Sequence, residues 1–347
     1  MKLFQRYFFS CFIIGFLLLL CSCSAASPYG SNQAAATESH SSDIQIGITF
    51  DSFILERWQR DRDIFVSSAK DLGAEVFVQN ANGDSQEQIR QIDYFIKKKM
   101  DVIVVIAVDG STLTDEVKKA RNAGIKVIAY DRLVPNADAD LYISFDNVTV
   151  GNLMADTIIK SLPQGGDILK INGPQKDNNV KLVNNGFDSK ITNYPIRTLG
   201  NYYASEWNGE EAFQYLSGHQ DLANNVQAIM CGNDSLAGQA ITYLSEQRLA
   251  GKVIVVGQDA DLDACQRIVE GTQTMTVFKP IDRLAKKAAE CAVALVKGDS
   301  IGNTSTISDG MYQIPYLYIE PVAVTKDNIN SVIIDSGFHL KEDVYLQ

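Results

Sequence analysis

From Ile44 onward the chain alternates short apolar strands with amphipathic helices, and this rhythm constrains the fold more than any other feature. Ile44-Gln45-Ile46-Gly47-Ile48-Thr49-Phe50 alternates as a strand, and an amphipathic run from Glu56 to Leu72 ends at Gly73, a natural helix cap. Glu75–Val78 is the next strand, followed by a helix through Gln86–Lys99. Val102–Ile106 is a continuous apolar run, as expected of a parallel strand buried on both faces. A helix over Leu113–Ala123 ends at Gly124, and Val127–Tyr130 is another strand. The pattern restarts after Asp146, with strands at Ile168–Ile171, Ile196–Leu199, Ala228–Met230 and Val253–Val256 separated by helical stretches. Such alternation means βαβ units and parallel sheets. About ten strands divide more naturally into two doubly wound lobes than into one wide sheet. A TIM barrel shares the alternation, but it needs eight units and is usually shorter. The length of 347 residues agrees with two lobes, since single cores stop growing at about 250–300 residues. The expected class is α/β, with two doubly wound lobes built on parallel sheets.

The segment before Ile44 reads differently. Lys2 and Arg6 precede an apolar run from Phe12 to Leu20 that is short for a membrane span, as in a secretory signal. It ends in Leu20-Cys21-Ser22-Cys23, which looks like a bacterial lipobox with Cys23 as the lipidated residue; Ala25-Ala26 is the rival cleavage site. Residues 1–22 are thus expected to be a lipoprotein signal peptide. Residues 23–43, rich in Ser and Ala, are expected to be a flexible tether. A diacylated Cys23 would hold the protein at the extracytoplasmic face of a bacterial membrane through lipid alone; without the anchor it would be free in the periplasm. Cys231, Cys265 and Cys291 remain beyond the tether, with no CxxC spacing, and read as buried thiols rather than a disulfide framework or zinc site.

Charge removes two partner classes. The chain carries 31 Lys+Arg against 42 Asp+Glu, a net −11, and loss of Lys2 and Arg6 with the signal makes it two units more negative. Nucleic-acid binding and a basic surface for anionic lipid both need the opposite balance.

In open parallel sheets, ligands bind beyond the carboxyl ends of the strands. Asp51, Asp131-Arg132, Asn172 with the loop to Asn179, Asn233-Asp234 and Gln258-Asp259 occupy those positions. They supply carboxylates, amides and a guanidinium, but no nucleophile with a base. His40, His219 and His339 follow no strand, and there is no GxGxxG after a strand and no P-loop. No cofactor or catalytic centre is expected. Carboxylates alone could support glycoside hydrolysis, but nothing sets two of them face to face. Asp259, Asp261, Asp263 and Glu270 fall at positions 1, 3, 5 and 12 of an EF-hand-like loop, yet Ala264 stands where the sharp turn needs Gly. The alternative is an acidic N-terminus on a helix over 262–270.

A sugar suits this inventory. A pyranose has apolar C–H faces for indoles and a rim of hydroxyls for Asp, Asn, Arg and Lys. The two tryptophans, Trp58 early in the first helix and Trp207 after the Ile196–Leu199 strand, could sandwich a ring, or could be ordinary packing.

Longer runs point to a family. Leu55-Glu56-Arg57-Trp58-Gln59-Arg60-Asp61-Arg62-Asp63-Ile64-Phe65 closely resembles the periplasmic D-xylose-binding proteins of ABC sugar transport, of the periplasmic binding protein type I family. So do Val78–Gly83, Ala129-Tyr130-Asp131-Arg132, Tyr142–Asn147, Asp177-Asn178-Asn179, Gly257–Leu262 and Gly271–Pro280, within a match from about Ile44 to Phe338. The resemblance implies two Rossmann-like lobes joined by a three-crossing hinge, with sugar in the cleft. Carried over residue by residue, Arg57, Asp131, Arg132 and Lys279 would bind from the first lobe or hinge, and Asn179, Asn233 and Asp259 from the second. Trp58 and Trp207 would stack on the ring; the motif around Trp207 matches less well. Lys279 has a plainer alternative, a solvated charge before Pro280. The lobes expected are 44–146 plus 277–309, and 147–276 plus 310–338, with 339–347 a tail. The ligand implied is D-xylose or a related monosaccharide, and the partner an ABC permease. A sugar receptor docking on a membrane histidine kinase is the alternative.

Overall fold

The computed structural model describes residues 44–346; the signal segment, the tether and Cys23 lie outside the described residues. The chain first lays down β1 (Ile44–Phe50), α1 (Glu56–Asp71), β2 (Ala74–Asn80), α2 (Ser85–Lys98) and β3 (Val102–Val105). It continues with α3 (Thr114–Asn122), β4 (Lys126–Tyr130) and β5 (Leu141–Phe145). Alternation decides the layers. Ile46, Ile48, Phe50, Val104 and Tyr130 face a core shared with α1, whereas Ile103, Val105 and Val127 face Ile92 and Phe95 of α2 and Val117 of α3. Helices thus cover both faces of the sheet, which is why its strands are nearly continuous in hydrophobicity.

The second lobe repeats the plan. It comprises α4 (Asn147–Ser161), β6 (Gly166–Asn172), α5 (Asn178–Ile191), β7 (Ile196–Tyr203), α6 (Glu210–Gly218) and α7 (Gln220–Ala223). There follow β8 (Ala228–Cys231), α8 (Asp234–Glu246), β9 (Ile254–Gln258), α9 (Leu262–Glu270) and β10 (Met275–Phe278). The chain then returns to the first lobe through α10 (Ile281–Lys297), whose Leu284, Ala285 and Ala288 join the core under α1.

The sheet orders are β11-β12-β5-β4-β3-β1-β2 and β13-β10-β9-β8-β6-β7, where β11 is Ser305–Ser308, β12 Gln313–Ile319 and β13 Val322–Val324. Pairing is parallel except for β11 with β12 and β10 with β13. The chain crosses between sheets after β5, after β10 and after β12. Strand order reverses at β1/β3 in one sheet and at β6/β8 in the other, and such switch points open a crevice at the strand ends.

Two expected boundaries need correction. Residues 313–319, assigned above to the second lobe, belong to the first sheet: Tyr316–Ile319 pair with Tyr142–Phe145, and Ile314 is fully buried in that lobe's core. Pro315 interrupts the run and its inward residues do not follow a strict period of two, which hides the strand. Nor is 339–346 a loose tail. It carries α11 (Lys341–Tyr345), which packs on α9 with Val344 buried, while Gln266 Nε2 donates to Asp343 O at 2.8 Å.

Cys231, Cys265 and Cys291 are buried thiols that form no disulfide among the described residues. Among the described residues no helix is long and apolar enough to cross a membrane, and no group of His, Cys, Asp and Glu could hold a metal ion. Asp261 stands instead at the N-terminus of α9, with Asp263 in its first turn.

Candidate binding site

The carboxyl ends of strands from both lobes converge on a small, partly open cavity. From the first lobe, Asp131 follows β4 with φ 62°, a left-handed conformation that costs a non-glycine residue about 1–3 kcal/mol. The surroundings hold it there. Its N–H donates to Ile143 O at 2.7 Å, and its carbonyl accepts from Ser144 Oγ at 2.7 Å and Tyr142 OH at 3.0 Å.

Arg57 and Trp58 enter from the first turn of α1. Arg57 Nη1 lies 3.2 Å from Asp131 Oδ2, and Nε lies 3.2 Å from Asp61 Oδ2 one turn later. Tyr130 OH donates to the other Asp61 oxygen. Burial opposes the Arg57 charge, but Asp131, Asp61 and Asp259 outweigh it and hold the guanidinium firmly protonated. Trp58 is 1% exposed, with its ring edge-on to Phe50 and the Arg57 guanidinium 4.2 Å from its centre.

Arg132 spans the lobes. Its Nη1 donates to Asp51 Oδ2 at 2.7 Å and Ala107 O at 2.8 Å within the first lobe, while Nε is 3.0 Å from Asp177 Oδ2 of the second. Burial raises the Asp51 carboxyl above its ordinary value even so, although Arg132 pulls it down.

The second lobe supplies mostly amides. Asp177 caps α5 by accepting from Asn179 N at 2.9 Å, and its other oxygen accepts from Trp207 Nε1 at 3.2 Å. Asn179 Nδ2 donates to Asp131 O at 3.1 Å, and its Oδ1 accepts from Asn147 Nδ2 at 3.0 Å. Asp259 follows β9 with φ 105°, its Oδ1 2.5 Å from Lys279 Nζ. Lys279 is 6% exposed, so it is not a solvated charge.

Eight of the nine residues singled out from sequence therefore line this cavity; Asn233 does not. Its Oδ1 instead caps α8 by accepting from Leu236 N at 2.9 Å. The cavity adds Leu55, Asn147, Asp177 and Gln258. A signal existed for three of these. Asn147 and Asp177 each open a helix after a strand, and Gln258 closes one. Missing β5 as a strand removed the reason to weigh Asn147.

The charged lining groups are Arg57, Arg132 and Lys279 with Asp131, Asp177 and Asp259, and each cation is already engaged: Arg57 by Asp131 and Asp61, Arg132 by Asp51 and Asp177, Lys279 by Asp259. Arg57 Nη2 and Trp58 Nε1 are buried donors without a protein partner. Paired charges with spare hydrogen-bonding capacity, flanked by indoles, suit a neutral polyhydroxylated ligand.

The family model described as a periplasmic binding protein domain matches residues 46–300. The chain belongs to this family. A D-xylose-binding periplasmic protein of Haemophilus influenzae is 46% identical over 321 residues, 91% of this chain and 96% of the relative. The D-xylose-binding periplasmic protein of Escherichia coli is 43% identical, over 88% of this chain and 94% of the relative. Among solved structures, an ABC transporter solute-binding protein from Clostridium phytofermentans with bound β-D-glucose superposes with TM-score 0.79 at 27% identity, covering 86% of this chain and 99% of the other. The two lobes are thus those of a type I periplasmic binding protein, and the relatives of this chain are binding proteins rather than enzymes.

Proposed function

We propose that this periplasmic binding protein binds D-xylose, or a closely related monosaccharide, between its lobes outside the cytoplasm and delivers it to an ABC permease. The observation that carries the reading is the cavity itself: beside Trp58 and Trp207 every charged lining group is already paired, Arg57 with Asp131 and Asp61, Arg132 with Asp51 and Asp177, and Lys279 with Asp259. A charged ligand would have to break one of these buried pairs to find a partner, at a cost of several kcal/mol. A neutral sugar leaves the pairs intact and uses their spare hydrogen-bonding capacity.

Binding and closure are coupled. Arg132–Asp177 and Asn179–Asp131 join groups from opposite lobes, so a sugar that adds contacts to both lobes favours the closed arrangement. Closure excludes water and presents one surface for a permease. Eight residues carry the sugar: Arg57, Asp131, Arg132, Asn179, Asp259 and Lys279 through hydrogen bonds, and Trp58 and Trp207 through the ring faces.

Ligand that binds only the folded state raises the melting temperature as its concentration rises. D-Xylose should do so in a panel of monosaccharides; no rise with any of them would defeat the reading. Lipidation of Cys23 is the proposed means of retention at the membrane, supported by Leu20-Cys21-Ser22-Cys23. In cells given labelled palmitate, wild-type protein should incorporate label and Cys23→Ser should not. For delivery, deletion of the gene should abolish uptake of labelled xylose at low concentration.

A further inference from the structure

Gln258 ends β9 with its side chain 4% exposed, on the lining of the cavity. Its Nε2 donates to Gly232 O at 2.5 Å. A carbonyl can only accept, so this contact fixes which end of the amide is nitrogen and leaves Oε1 as the acceptor. That oxygen is buried and has no protein partner.

Behind it lies a small chamber, also lined by Asn184, Met230 and Trp207. Asn184 is the amide there that could satisfy Gln258, but it cannot donate. Its Nδ2 already gives hydrogen bonds to Asn172 Oδ1 at 2.7 Å and Val180 O at 2.9 Å, and its own Oδ1 is unpartnered too. Asn172 is committed in turn, its Nδ2 donating to Asn201 Oδ1 at 2.6 Å and Tyr202 O at 2.9 Å. The amides on this side thus offer Gln258 Oε1 no donor, and Gln258 lines the ligand cavity as well as the chamber. Asp131, Asp177 and Asp259 each have a cation on them, whereas Gln258 is a neutral acceptor with none.

We propose that Gln258 is a specificity-determining residue whose Oε1 accepts a hydrogen bond from one hydroxyl of the bound monosaccharide. The inference rests on the sugar-binding reading above and extends it to a residue outside that assignment. Buried acceptors built to meet a hydroxyl discriminate against analogues that lack it, because the acceptor is then stranded. A monodeoxy sugar missing that hydroxyl should bind poorly, and should be the one sugar indifferent to the loss of Gln258.

The test is a double-mutant cycle between protein and ligand, read by titration calorimetry. Wild-type protein and Gln258→Met are each titrated with D-xylose and with its 1-, 2-, 3- and 4-deoxy analogues. Gln258→Met should weaken xylose binding about tenfold, the scale of one neutral hydrogen bond. For one deoxy analogue it should change affinity little, so that the two losses do not add. Gln258→Leu removes the same acceptor with a different apolar side chain, and should give the same pattern across the analogues. It also stands in should Gln258→Met fail to give a wild-type melting profile. Strictly additive losses for all four analogues, with wild-type protein binding xylose, overturn the role of Gln258 alone. Wild-type protein that binds no monosaccharide overturns the sugar reading and this role together.

Discussion

The two tryptophans of the cavity show how differently the lobes build their halves. Trp58 sits in the first turn of α1, 1% exposed, against Phe50 and within the main hydrophobic cluster of its lobe. Its neighbours Arg57 and Arg132 are each tied to carboxylates of the same lobe, Asp61 and Asp51. Trp207 lies in the connection between β7 and α6 and is only half-buried. It is held by one hydrogen bond to Asp177 and by close approach to Gly173, where an added Cβ would come within 2.4 Å of the ring. The first half of the site is preformed by its core, and the second is assembled by a few directional contacts. A binding protein that must open and close can keep one half rigid and let the other be set at closure.

The largest effect should come from the residue that joins the halves. Arg132→Ala removes the guanidinium shared by Asp51 and Asp177, leaving two carboxylates stranded in a buried site. Xylose affinity should fall at least a hundredfold, or about 3 kcal/mol, in titration calorimetry. Asp259→Ala should have a comparable effect by stranding Lys279; unchanged affinity in both would remove the site.

Next comes the contrast itself. Trp58→Ala should cost about 3–5 kcal/mol of folding stability as well as binding, since it empties a packed core. Trp207→Ala should cost only about 1–2 kcal/mol of stability, in keeping with partial burial, yet weaken sugar binding about tenfold or more. Equal losses of stability in urea denaturation would erase the distinction between a preformed and an assembled half. Gly173→Ala is subtler. Its methyl group must displace the Trp207 ring while touching no sugar, so affinity should drop several-fold with the melting temperature little changed. Full wild-type affinity would mean that Trp207 is not positioned there for the ligand.

The smallest effect concerns buried acids. Those of the first lobe, Asp51 and Asp61, have arginine partners, whereas the Asp234 carboxylate of the second is hydrogen-bonded by Thr276 Oγ1 at 2.6 Å and Gln273 Nε2 at 2.8 Å. Burial pushes Asp234 up from 3.8 to about 7, against the pull of Thr276 and Arg267, and raises Asp51 and Asp61 as well. A raised carboxyl binds more protons folded than unfolded, so its contribution is complete below the unfolded value and is lost as pH rises through the folded one. The urea midpoint should therefore be higher near pH 5 than near pH 8, and Asp234→Asn should reduce the difference more than any change at the two arginine-paired acids. A midpoint that climbs from pH 5 to pH 8 would contradict this.

Much of the molecule was legible in its sequence because period and punctuation are local. Val102–Ile106 and Val253–Val256 announce buried parallel strands, and Gly73, Gly124 and Gly271 announce helix ends. The site was legible where a charged or aromatic residue follows such a strand or shares a quoted motif, as with Asp131-Arg132 and Asp259. What could not be read depends on distant partners. The strand at Gln313–Ile319 is defined by Tyr142–Phe145, more than 150 residues earlier in sequence, and neither segment shows its partner locally. Asn233 stands at a strand end like the others, and only the structure shows that its Oδ1 caps α8. Asp177 and Gln258 stand where the sequence carries a signal, but what they face, Arg132 in one case and Gly232 in the other, is visible only in the fold.

The central claim, that a neutral pentose binds between the lobes, is tested most directly by titrating the purified protein with D-xylose in a calorimeter. The expected result is one saturable site per chain with micromolar or tighter affinity. No saturable heat up to millimolar sugar, from protein that melts cooperatively, would contradict it.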